Sequence, residues 1–399
     1  MSLSDLVLFW NEKAAKLLNF HSNPGHDTRR FAVVQIAIHD TLNCYKKKYD
    51  QYCNATSNLT IPAGNWRASA WEAVNSAAAG VLKWAVQDII NYTNNPNYNL
   101  AQKVSEIENW YILKKRIDDP NAVLVGNFWA NAIIGIRNND NIDQVKLVSP
   151  FPDGTIPRKF RGDYYTFPPP EDKFMVNYSV VKPFVLTKHD QFRRDLSYSD
   201  SEQTSMIEEI ELMGSKEYVS ALPQEQIDKI EYWSPVEQHI LWNNFARQII
   251  TSRNNLDAWD IARVFALIHT AMADGAIAMF GDLYHFYHWR PITAINLKYN
   301  GNPISDPKWI PYKNYDKTPR VPEYPSSFAV LGGATGEILE AIFPRKKNVI
   351  SGAVDDNAFT KINCGWNFRK SAKESLKLGR NIGNYVLKYK FQRSVPVPV

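Results

Sequence analysis

Apolar residues recur at three- and four-residue spacing over most of the chain, the pattern of helices that bury one face. This spacing predicts helices over residues 5–20, 27–47, 68–92, 100–115 and 122–138. Pro24-Gly25 followed by Asp27-Thr28 marks a break and an N-cap for the second of these. From about 148 to 185 the periodicity fails. Pro150, Pro152, Gly154, Pro157 and Pro168-Pro169-Pro170 make this stretch a long irregular excursion of the kind that often borders an active site. Helical spacing resumes over 200–213, 224–230, 235–252 and 256–280, and the last is apolar nearly all round, as a central buried helix would be. A second irregular stretch, 300–325, leads into a helix over 328–342, and a final helix covers about 371–390. No run reads as a convincing strand, no internal repeat is present, and the tail over about 391–399 is expected to fray. The expected fold class is all-α, with bundled helices and long connecting loops.

Composition narrows the function classes. Forty-six basic against forty-one acidic residues leave a net charge of +5, small for 399 residues. Short basic runs such as Lys46-Lys47-Lys48 and Arg345-Lys346-Lys347 read as solvated helix or loop ends, so no nucleic-acid partner is expected. The N-terminus carries Asp5 where a signal peptide would be positive, and its pattern is amphipathic. The most apolar stretch, 264–280, is interrupted by His269 and Asp274 and falls short of a bilayer span, so membrane insertion is not expected. Cys44, Cys53 and Cys364 form no disulfide framework. The expected location is cytoplasmic, where a sequon such as Asn54-Ala55-Thr56 carries little meaning.

Three separated segments belong together: Leu283-Tyr284-His285-Phe286-Tyr287-His288-Trp289-Arg290-Pro291, then Pro322-Glu323-Tyr324-Pro325-Ser326-Ser327-Phe328, then Thr360-Lys361-Ile362-Asn363-Cys364-Gly365-Trp366-Asn367-Phe368-Arg369. In order and spacing they resemble the signature motifs of the vanadium-dependent haloperoxidase and type 2 phosphatidic acid phosphatase superfamily. Ile38-His39-Asp40, Asn127-Phe128-Trp129-Ala130, 182–186 and the helix over 262–274 also resemble its bacterial haloperoxidase-related branch, so the similarity covers nearly the whole chain. The resemblance implies one haloperoxidase-like domain over 1–399, made of two packed helical bundles with an oxyanion pocket between them. It allows a homodimer without requiring one. In that family, cationic side chains and helix-end amides neutralise phosphate or vanadate. One histidine attacks phosphorus or bonds vanadium, and a second serves as acid–base partner.

Matched residue by residue, this chain departs from the family at most of those points. Arg290 is retained, but Leu283 stands at the lysine position. Pro325 and Ser326 are kept, whereas Ser327 replaces glycine and Phe328 replaces histidine. Thr360 and Lys361 stand for serine-arginine, and Asn367 stands where the nucleophile or vanadium ligand belongs. An amide nitrogen has its lone pair delocalised into the carbonyl, so Asn367 hydrogen-bonds but does not attack phosphorus. Phe328 moves no proton, and Leu283 removes a full positive charge. Vanadate is therefore not expected as cofactor, and magnesium only if the substrate is a diphosphate. Leu283, Tyr284, Phe286, Trp289, Phe328 and Trp366 are expected to make an aromatic-lined cavity. Arg290, Lys361 and Arg369 could hold an anionic head group, with Ser326, Ser327, Thr360 and Asn367 as hydrogen-bonders. The expected function is a repurposed, vanadium-independent cyclisation, isomerisation or rearrangement of a hydrophobic small molecule, with a prenyl diphosphate as one version. The alternatives are an inert scaffold, or residual haloperoxidase or phosphatase activity.

Several residues carry two readings. His285 and His288 could replace the lost imidazoles or be ordinary helix-end histidines, and with Asp282 they raise a metal site that helix geometry disfavours, so no metal is expected. Glu323 is a candidate general acid or a loop carboxylate paired with Arg320. Asp274 is a candidate acid of raised pKa or a structural hydrogen-bonder to a neighbouring helix. Asp355-Asp356 resembles an acidic pair for magnesium but reads as a solvated loop. Cys364 would have a lowered pKa if close to Lys361 and Arg369, against a plain buried cysteine. His39-Asp40 reads as packing or capping.

Overall fold

Ser2 opens the first helix, α1 (Leu3–Leu17), with a capping box: its hydroxyl accepts from the Asp5 backbone while the Asp5 carboxylate accepts from the Ser2 N–H. The computed structural model describes residues 1–18, 24–55, 61, 65–92, 98–148, 157–161, 174–175, 177–235, 237–253, 255–296, 309–313, 318–319 and 321–394. Four further helices follow: α2 (Pro24–Tyr45), α3 (Trp66–Tyr92), α4 (Leu100–Lys114) and α5 (Pro120–Asn138). Then come α6 (Asp200–Met213), α7 (Lys216–Ser220), α8 (Gln224–Trp233), α9 (Gln238–Thr251) and α10 (Ala258–Phe286). The last four are α11 (Pro291–Asn296), α12 (Ser327–Ile342), α13 (Lys347–Asn363) and α14 (Arg369–Tyr389). Apart from one antiparallel ribbon, Leu147–Val148 with Phe174–Met175, the described residues form an all-α fold.

The chain separates into two compact units, each assembled from distant segments. The first comprises Met1–Asp140, His239–Ala273 and Tyr385–Val399; the second comprises Asn141–Gln238 and Asp274–Asn384. Within the first, α3 packs along α2, α4 and α5. Its interior holds a charge network: Arg29 Nε donates to Asp140 at 2.8 Å, Arg30 Nε to Asp88 at 2.6 Å, and Arg137 Nη2 lies 2.6 Å from Asp140. All five side chains are buried, a burial tolerated because each charge meets its opposite. His39-Asp40 pins the segment after α2, since the Asp40 carboxylate accepts from the backbone N–H groups of Tyr52 and Cys53 and faces His39 Nδ1 at 2.9 Å.

In the second unit, α12 packs against α13, α13 against α8 and α6, and α11 against α6. Asp274 is a structural hydrogen-bonder: it accepts from the backbone N–H groups of Phe184, Val185 and Leu186, in an irregular segment, at 2.5, 2.8 and 2.9 Å. Four local expectations are corrected. Residues 347–363 form a helix, so Asp355-Asp356 lies on α13 and not in a loop. The short α7 and α11 fall where no helix was expected. The apolar helix continues to Phe286, and α10 is long and apolar enough to cross a membrane by length and composition, though 94% of its most apolar window is buried in the protein. Most of the excursion over 148–185, most of 300–325, and residues 395–399 lie outside the described residues.

Two helices of this unit touch backbone to backbone. A Cβ built on Gly379 of α14 would fall 2.1 Å from the Val330 carbonyl oxygen of α12. Gly379→Ala should therefore force these helices apart and cost about 1–3 kcal/mol, read as a lowered urea midpoint at unchanged slope.

Candidate functional site

Helix α10 ends at Phe286 because Tyr287 takes a left-handed conformation, φ 54°. The next residues lie extended against 158–160: Phe160 N–H donates to the Tyr287 carbonyl, and Trp289 N–H to that of Arg158. This holds His288 outside any helix, contrary to its reading as a helix-end histidine. The segment before α12 joins it, with Glu323 N–H donating to the His288 carbonyl at 2.8 Å. The third motif turns at Gly365, whose φ of +76° suits a residue without Cβ, and delivers Asn367 and Phe368 to the start of α14.

The three segments meet on one carboxylate. Glu323 is fully buried. Its Oε2 faces His288 Nδ1 at 2.8 Å and accepts from the Ser371 hydroxyl at 2.7 Å. Its Oε1 accepts from Asn367 Nδ2 and from the Phe368 backbone N–H, both at 3.0 Å. Asn367 Nδ2 also reaches the Glu323 carbonyl at 3.0 Å, and its Oδ1 accepts from Ser326 Oγ at 3.3 Å. Ser326 is fixed in turn by Ser375 Oγ, which accepts its N–H at 2.8 Å. On the far side of the imidazole, His288 Nε2 lies 2.5 Å from the Tyr198 hydroxyl. With Nδ1–H directed at the carboxylate, a neutral imidazole presents Nε2 as acceptor to that hydroxyl. Burial, with Glu323 adding to it, raises the Tyr198 phenol above its ordinary value despite the nearby Arg158, so it is a protonated donor at neutral pH. Glu323 is thus a loop carboxylate, but a buried one, and Arg320, its expected partner, lies outside the described residues.

Arg290 ties the motifs together through main chain. Nε donates to the Val321 carbonyl, Nη2 to that of Pro322, and Nη1 to that of Trp366, at 2.8, 3.1 and 3.0 Å. Lys361 is wholly buried, donates to the Trp233 carbonyl, and stands 4.2 Å from the Phe328 ring centroid and 5.7 Å from that of Trp366. Arg369 Nε donates to Glu209 at 2.5 Å. All three cations expected to hold an anionic head group therefore have partners within the protein.

The expected aromatic residues divide between two apolar clusters. Phe328 and Trp366 stack at 5.7 Å in one, with Cys364, Val219 and Ile230. Trp289 packs in the other, with Phe368, Ile362, Ile207 and Ile210. Leu283 is buried, Tyr284 is half-buried, and Ser327 is half-buried at the first position of α12. His285 is exposed, with a ring contact to Phe286 and no hydrogen bond among the described residues. Burial pushes the Cys364 thiol up to about 11 although Lys361 pulls the other way, so it is a buried cysteine and not an activated one. Asp282 pairs with Arg193 at 2.6 Å, and burial still raises it to about 6. Among the described residues no three acidic, histidine or cysteine side chains gather as a metal site. Tyr198, Ser371 and Ser375 were not anticipated, because none lies in the three motifs and Tyr198 precedes His288 by 90 residues.

The comparisons with known proteins agree with this fold. The model of the second helical-bundle domain of the vanadium chloroperoxidases, VCPO, matches residues 263–351. A vanadium chloroperoxidase of Curvularia inaequalis is 32% identical over 92 residues, 21% of this chain and 15% of that enzyme's length. The crystal structure of a bacterial vanadium-dependent iodoperoxidase superposes with a TM-score of 0.77 at 19% identity, over 99% of this chain and 98% of the other. That of a bacterial vanadium-dependent chloroperoxidase in its holo form gives 0.65 at 14% identity, over 97% and 92%. The fold is that of the all-α vanadium haloperoxidases. Residues 263–351 are thus similar to the second helical bundle of the vanadium chloroperoxidases, and over the rest of the chain the likeness is one of fold.

Burial pushes the Lys361 amine down from 10.5 to about 8. Between those values the unfolded chain holds a proton that the folded protein has released, so this residue's contribution to stability grows as pH rises. The stability of wild type minus that of Lys361→Met should increase from pH 8 to 10 by up to about 1.4 kcal/mol per pH unit, read from urea unfolding of both proteins. A flat difference would show that the amine is not depressed.

Proposed function

We propose that this protein is a vanadium-independent, haloperoxidase-like enzyme that moves a proton on a hydrophobic small molecule and so isomerises, cyclises or rearranges it. The observation that carries this reading is the chain Tyr198–His288–Glu323: hydroxyl, imidazole and a carboxylate fixed by three further donors. A carboxylate that orients an imidazole, which in turn meets a hydroxyl, is a general arrangement for acid–base work. Tyr198 is half-buried and is the member through which substrate would meet the relay. In the proposed cycle Tyr198 passes its proton to His288 Nε2 as its oxygen takes one from a carbon of the substrate. His288 then returns that proton through Nε2 to Tyr198, whose hydroxyl gives one to another carbon or to a carbonyl oxygen, so the substrate's composition is unchanged.

The residues present do not fit vanadate. No imidazole occupies position 328 or 367, the amide Nδ2 of Asn367 is a donor spent on Glu323, and Arg290 is spent on carbonyls. A carboxylate among these groups would repel a tetrahedral anion. The same engagement of Arg290, Lys361 and Arg369 favours a ketone or quinone over a prenyl diphosphate, and hence a reaction without magnesium. The substrate is proposed to be a small apolar molecule, the setting cytoplasmic, and neither nucleic acid nor membrane its target. The saturated hydrogen bonding of Arg290 and Glu323 favours one other reading, an inert scaffold.

A panel of hydrophobic ketones, quinones and prenyl diphosphates in D2O separates these readings. Wild type should rearrange or deuterate at least one substrate without vanadate, bromide or peroxide. His288→Gln and Tyr198→Phe should each lower that rate by about 10²–10⁴-fold at unchanged circular dichroism. Stoichiometric vanadium uptake with peroxide-dependent bromide oxidation would sink the proposal, and absence of turnover across the panel would favour the scaffold.

A further inference from the structure

The donors around Glu323 form a receptor for an anion that the chain itself supplies. A free carboxylate could ask for little more than the set present: an imidazole nitrogen and a hydroxyl on one oxygen, an amide N–H and a backbone N–H on the other, all within 3.0 Å. His288, Asn367, Phe368 and Ser371 are all buried, and each is placed by an element other than the segment carrying Glu323. Their positions do not rest on the carboxylate alone. His288 is held by the backbone pairing with 158–160, Asn367 Nδ2 also bonds the Glu323 main-chain carbonyl, and Ser371 sits in the first turn of α14. The donors should therefore persist when the side chain is shortened, leaving a buried polar hole of carboxylate size, and such donors demand an acceptor.

We propose that Glu323 is an internal ligand filling an anion cradle made by His288, Asn367, Phe368 N–H and Ser371, so that wild type takes no external oxyanion there and a small free carboxylate takes its place once Glu323 is truncated. The claim shares residues with the proposed acid–base relay but concerns occupancy, so its test reads binding and not turnover.

Full-length wild type, Glu323→Gly and Glu323→Gly/Asn367→Leu are titrated with sodium formate against sodium chloride at matched ionic strength, following Tm. Wild type is also titrated with phosphate and orthovanadate by calorimetry. Formate should raise the Tm of Glu323→Gly saturably, by at least about 3 °C, leave wild type unmoved, and lose at least half its effect in the double variant. Wild type should bind neither phosphate nor vanadate saturably. A folded Glu323→Gly indifferent to formate, an equal response in the double variant, or one-to-one oxyanion binding by wild type would each overturn the proposal. Should Glu323→Gly be unfolded in chloride, recovery of the native circular dichroism in formate supports it and no recovery counts against it. Formate binding by a protein inactive on every substrate would retain the cradle and remove the enzyme reading; turnover with no formate response would do the reverse.

Discussion

One buried negative charge organises the second unit. A carboxylate withdrawn from water is costly unless donors replace its hydration, and Glu323 has them from the other two motifs and from α14: His288 after α10, Asn367 and Phe368 ahead of α14, and Ser371 inside it. Arg290 adds a second tie through the carbonyls of residues 321, 322 and 366. The three motifs, separated by long stretches of chain, are joined by bonds to one another more than by any contact awaiting a ligand.

In the matching that the sequence resemblance implies, leucine at 283 and phenylalanine at 328 stand where the family carries positive charge or the capacity for it, and the buried Glu323 sits where the three motifs meet. Lys361 is drawn toward neutrality by its burial, with the rings of Phe328 and Trp366 beside it. Under the proposed function, these features run against a pocket for a multiply charged anion.

The helices that bury a strong apolar stripe were legible in the sequence, and the motif order was enough to find the fold. Helix α13 was not, because Gly352, Asp355, Asp356 and Asn357 break its apolar spacing and its hold on the protein comes from packing against α12 and α8. The site was half legible. Arg290, Asn367 and Ser326 do come together, but a retained arginine says nothing about whether its N–H groups face a ligand or a carbonyl. The aromatic residues looked like one cavity because sequence proximity cannot show that Trp289 and Phe328 fall in different clusters. Tyr198 had no local signal, since its role depends on a partner reached only through the tertiary fold.

The path of the chain has a practical consequence. Helix α10 changes unit between Ala273 and Asp274, and α14 does so between Asn384 and Tyr385. No single cut divides the polypeptide into two self-sufficient pieces, because each unit draws segments from both sides of any break in α10. Expression of either half alone would strand apolar helix faces without their partners, and a split-protein pair would have to refold by complementation, not by docking of finished parts.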